Sequence, residues 1–87
     1  MKTIWKFTTE IEDTPRLMLP VGARILSCAP DRPGQTFNLW AEVDNGVPRE
    51  ERRFRVIGTG HPLDNVGAFI GTIQDPPFVW HIYEEAQ

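Results

Sequence analysis

The chain has 87 residues, 40% of them hydrophobic and 24% charged, with nine basic residues against twelve acidic ones for a formal charge of −3. That length fits one small domain whose core just suffices to hold it, and it excludes a two-domain enzyme, a transporter or a solenoid array. The acidic balance argues against general nucleic-acid binding, which rests on a basic excess, and no apolar run approaches the roughly 20 residues of a membrane helix.

Met1–Lys6 carries two lysines with no apolar run after them, which is not the pattern of a signal peptide. Lys2 to Glu12 alternates as a strand, with Trp5, Phe7, Thr9 and Ile11 on one face and Lys6, Thr8, Glu10 and Glu12 on the other. Pro15 and Pro20 bracket a short extended piece, Arg16–Leu19, and Val21-Gly22 turns into a second main strand, Ala23 to Ala29. Pro30–Gly34 is a loop. Thr36 to Val43 is a third strand, with Phe37, Leu39, Ala41 and Val43 opposed to Trp40. Asp44-Asn45-Gly46 signals a turn, and the polar segment after it is expected to be mobile up to Arg52.

A fourth strand runs from Arg52 to Gly58 and sets Phe54 and Val56 against Arg53, Arg55 and Ile57. Gly58–Pro62 opens a loop, with a brief helical turn expected around Leu63–Gly67. Ala68 to Ile73 and Phe78 to Tyr83 are the last strands, separated by Asp75-Pro76-Pro77, and residues 84–87 form a frayed acidic end. The chain therefore reads as one all-β domain over residues 1–87. It is mostly antiparallel, a five- to six-stranded meander forming a barrel or two-layer sandwich with little or no helix.

Five Phe, three Trp and one Tyr are many large rings for one small core. The first and last strands also carry apolar groups on both faces, which points to self-association through an exposed face or an edge strand. The lone Cys28 forms no intramolecular disulfide and has no second cysteine for a metal cluster, so a cytoplasmic setting is expected and Cys28 reads as a small buried apolar residue.

The chemistry-bearing groups converge on one stretch. Arg49, Arg52, Arg53 and Arg55 are four of the nine basic residues. Arg53 and Arg55 share a strand face, as two guanidiniums suited to phosphate or carboxylate would. They lead into Gly58-Thr59-Gly60-His61, where glycines allow backbone N–H groups to approach an anion and Thr59 adds a donor. A β-bulge explains the same glycines, and the stretch is neither a Rossmann fingerprint nor a P-loop. His61 and His81, the two histidines, would be the acid and base of a phosphodiesterase if they meet in space. No metal or cofactor is implied. Glu10, Glu12 and Asp13 read as a solvated strand end, and no nucleophile motif is present.

Met1–Phe7, Pro20–Leu26, Leu39–Asp44, Arg53-Phe54 with Gly58–His61, Phe69–Thr72 and Val79-Trp80-His81 together resemble a family of small proteins of unknown function from bacteriophages and prophages. Gly-Thr-Gly-His and Val-Trp-His are the most specific pieces, and the resemblance extends over nearly the whole chain. It implies a small, soluble protein of the infected host's cytoplasm, and by context a block on host defence.

Three readings stay open. In the first, a homo-oligomeric binding protein sequesters a nucleotide-derived anion. Arg53, Arg55, Thr59, Gly60 and His61 hold the ligand, and Tyr83 or a tryptophan stacks on its base. In the second, an interaction module blocks a host or virion protein. The third is a metal-independent phosphodiesterase using His61 and His81.

Overall fold

The alternation along the chain is realised in a computed structural model that describes residues 1–86. Among these residues there are seven strands and no helix: β1 (Lys2–Glu10), β2 (Arg16–Pro20), β3 (Arg24–Pro30), β4 (Thr36–Asp44), β5 (Arg49–Gly58), β6 (Val66–Asp75) and β7 (Phe78–Glu85). All pairings are antiparallel, in one sheet of order β1-β4-β3 and another of order β2-β5-β7-β6. The architecture is the two-layer sandwich, not the closed barrel. Its extents of 40 × 27 × 16 Å suit two sheets packed face to face. Neighbours in sequence form hairpins only at β3–β4 and β6–β7, and the remaining pairs join strands distant in the chain.

There is one strand more than the upper expectation, because Arg16–Pro20 is paired along its length with Arg53–Arg49. The same pairing corrects the segment before Arg52. Arg49, Glu50 and Glu51 lie in β5 opposite Pro20, Leu19 and Met18. No helical turn forms between Leu63 and Gly67; Asn65 instead takes a left-handed conformation with φ 56°. Glu84 and Glu85, expected in a frayed end, close β7, because Glu84 faces Phe54 and Glu85 faces Val66. Gln87 lies outside the described residues.

The core follows from β4. Phe37, Leu39, Ala41 and Val43 face inward and meet Phe54 and Val56 of β5, Ile73 of β6, Ile82 of β7 and Leu19 of β2. Trp5, Phe7 and Trp80 pack at the margins. Two polar devices tie the layers. Arg52 donates to both Glu84 oxygens at 2.6 and 2.8 Å and to the Ala23 carbonyl at 2.6 Å. The buried Asp75 accepts from the Gly34 N–H at 2.9 Å and from Trp80 Nε1 at 3.1 Å, fastening the β3–β4 loop to the end of β6. Cys28 is half-buried at the seam where β3 meets β6, and burial pushes its thiol pKa up.

Candidate functional site

The antiparallel pairing of β5 with β7 sets Ile57 opposite His81 and Gly58 opposite Trp80. Side chains alternate along a strand, so His81 stands on the outer face of the sheet and Trp80 on the inner one. The chain leaves β5 at Gly58 and folds back at once. The His61 N–H donates to the Gly58 carbonyl at 3.0 Å, and Gly60 takes φ 89°, which only glycine adopts without strain. This tight turn lays the His61 ring over Gly58. A methyl group at Gly58 would stand 3.3 Å from His61 Cε1 and Nδ1 and 3.4 Å from Trp80, so glycine is what lets the ring close in.

His61 thus divides two clefts at one end of the sandwich. The inner one, about 340 Å³, is walled by Pro77, Phe78, Val79 and Trp80, with Gly58, Thr59 and His61 on its other side. The Phe78 and Trp80 rings stack at 5.3 Å and 25°, and Phe78 is 53% exposed. The outer cleft, about 280 Å³, is lined by Ile57, Gly60, Leu63, His81 and Tyr83, with Gly58, Thr59 and His61 shared between the two.

In the outer cleft His81 is held at both nitrogens. Nε2 lies 2.8 Å from Thr59 Oγ1 and Nδ1 lies 3.1 Å from Thr72 Oγ1. Either hydroxyl can donate or accept, so both bonds form in any ring tautomer. Tyr83 meets Phe69 edge-on at 5.2 Å.

Of the residues singled out in the sequence, Thr59, Gly60, His61, His81 and Tyr83 come together at this rim. The two arginines do not join them. Arg55 faces Tyr83 in register, but its Nη1 donates to the Asp64 carbonyl at 2.9 Å, and its Nε is buried without a partner among the described residues. It holds the Gly60–Asn65 loop in place. Arg53 lies beside Glu51 at 3.4 Å, and along an extended strand it is about 20 Å from Thr59. One small anion therefore does not span both. Pro77, Phe78 and Thr72 were not among the candidate residues, and Trp80 was one only as an unspecified stacking tryptophan. The i, i+2 spacing of Phe78 and Trp80 already placed them on one face, but only the β5–β7 pairing brings that face to His61.

The fold and rim define a small antiparallel β-sandwich with a two-chambered cleft at one end. The chain belongs to the family described as Domain of unknown function (DUF7352), whose model matches residues 1–87. Neither a curated protein nor a solved structure matches the chain. Among the described residues no helix is long and apolar enough to cross a membrane, and no group of three or more His, Cys, Asp or Glu residues is placed to hold a metal ion.

Proposed function

We propose that the protein is a binding protein whose ligand carries a flat ring and a polar or anionic group, a nucleotide-derived molecule by class. The supporting observation is the pair of adjoining clefts that share Gly58, Thr59 and His61. The ring enters the aromatic chamber against Phe78 and Trp80. The polar group meets the Thr59 hydroxyl, which His81 holds in place, the Gly60 backbone and Tyr83. Binding is favoured over cleavage because both His81 nitrogens are already bonded to threonine hydroxyls, so neither reaches a substrate without breaking one. Taken with the resemblance to phage proteins, the biological act is sequestration of a host signalling nucleotide in the host cytoplasm.

The competing reading, a phosphodiesterase, draws on His61 and His81 lining one cleft. One experiment separates the two. The protein is incubated with cyclic di- and trinucleotides and ADP-ribose-type compounds, filtered and heat-denatured, and both fractions are chromatographed. Sequestration returns intact ligand only after denaturation. Phe78→Ala then weakens binding about ten-fold, in line with the loss of one stacking surface, and His61→Gln still releases intact ligand. A new product peak that vanishes in His61→Gln establishes the enzyme instead. Compounds that all pass unbound and unchanged overturn the assignment of the rim.

A further inference from the structure

The two sheets have four edge strands, and three of them are cut short or broken in register, which discourages pairing. β2 is five residues long, preceded by Pro15 and ending at Pro20. β3 shifts register between Ile25 and Ser27, and β6 shifts twice between Val66 and Gly71. β1 is different. Its register on β4 runs unbroken from Lys2 to Glu10, which leaves the longest regular edge of the molecule, and long regular edges are templates for pairing with another strand.

The hydrogen-bond parity of that edge is fixed. Asn45 N–H donates to the Met1 carbonyl and Ile11 N–H to the Gln35 carbonyl, and each is a directly opposed pair in the β1–β4 register. Odd-numbered residues of β1 therefore spend their backbone groups on β4. The N–H and C=O groups of Lys2, Ile4, Lys6, Thr8 and Glu10 point away from the sheet, and all five residues are exposed.

We infer that this edge pairs with β1 of a second copy of the chain, antiparallel about a twofold axis through Lys6. In that register every outward backbone group from Lys2 to Glu10 finds a partner. Lys2 stands opposite the partner's Glu10 at both ends, Ile4 stands opposite the partner's Thr8, and the two half-buried rings of Trp5 and Phe7 meet those of the second copy on the core side. Lysines on an edge deter most strands. Here the strand's own sequence supplies the acidic residue that answers Lys2, so the charges select another copy over an unrelated strand. The two Lys6 side chains meet at the axis on the solvent face and are the one repulsive contact. Two three-stranded sheets become one of six strands. This interface is independent of the ligand rim at the far strands.

Amide hydrogen exchange read by NMR, together with sedimentation across a wide range of concentration, tests the inference. As dimer forms, the amides of Ile4, Lys6 and Thr8 gain protection, whereas those of Trp5 and Phe7 are protected in monomer and dimer alike. Lys2→Glu or Glu10→Lys alone weakens the dimer about ten-fold, and the double exchange restores it. Lys6→Thr tightens it, because in this register Lys6 faces only itself. Lys6→Pro removes one outward N–H without touching the β4 ladder and abolishes the dimer while the circular dichroism spectrum is kept. A monomer at every concentration, a dimer whose newly protected amides lie outside β1, or charge reversals that do not compensate each overturn the proposal.

Discussion

At the scale of single residues, the most buried ion pair among the described residues lies outside the rim. Arg52 and Glu84 keep only 15% and 20% of their side-chain surface exposed, and the bidentate carboxylate contact raises the Arg52 pKa above its ordinary value. Removing the guanidinium leaves Glu84 and the Ala23 carbonyl short of their donors in a largely dry place. Arg52→Ala is expected to cost about 2–3 kcal/mol, a value between a charged hydrogen bond and a fully buried pair. Urea denaturation checks this, and a loss below about 0.5 kcal/mol, the scale of an exposed pair, contradicts it. Asp44 gives a pH signature. The Gly46 N–H and then the N-terminal ammonium hold its carboxyl below the usual carboxylate pKa. A folded-state pKa below the unfolded one contributes stability above the unfolded value, and that contribution is lost as pH falls through the folded one. The stability difference between the parent and Asp44→Ala is accordingly present at neutral pH and disappears in acid denaturation curves.

At the scale of elements, the seam between β3 and β6 is set by one glycine. A methyl group at Gly71 would stand 2.8 Å from Cys28 Sγ, closer than such atoms approach. Gly71→Ala is expected to destabilise by about 1–3 kcal/mol through overpacking. Cys28→Ala in the same chain should recover most of that loss, read as the denaturation midpoint of each variant. Failure of the rescue would place the strain in the backbone of β6 instead. β5 shows how an element takes on two roles. Its first half pairs with β2 and its second half with β7. Arg53 is carried with the first half and Thr59 follows the second, so the arginines and the Gly-Thr-Gly-His loop, neighbours in sequence, are spread along the strand. Arg55 stands between them and serves the loop by its bond to Asp64.

At the scale of the whole molecule, local alternation and punctuation were enough to determine that the chain is all-β, where most strands lie, and which face of β4 forms the core. These depend on which way successive side chains point, and that is set by residues next to one another. The turn at Gly58-Thr59-Gly60-His61 was also legible, because a glycine-rich strand end closes on itself within four residues. The partners of those residues were not legible. Thr72 and Thr59 reach His81 from two different strand pairings, and Phe78 and Trp80 reach His61 only across the β5–β7 ladder. The role of Arg55, the tie between Asp75 and the distant Gly34, and the choice of sandwich over barrel are of the same kind. The sequence alone determined most strands and their faces, since those follow from neighbouring residues. Only the tertiary structure decided which strands meet, because pairing is settled by competition among long-range contacts whose closure costs no local pattern records.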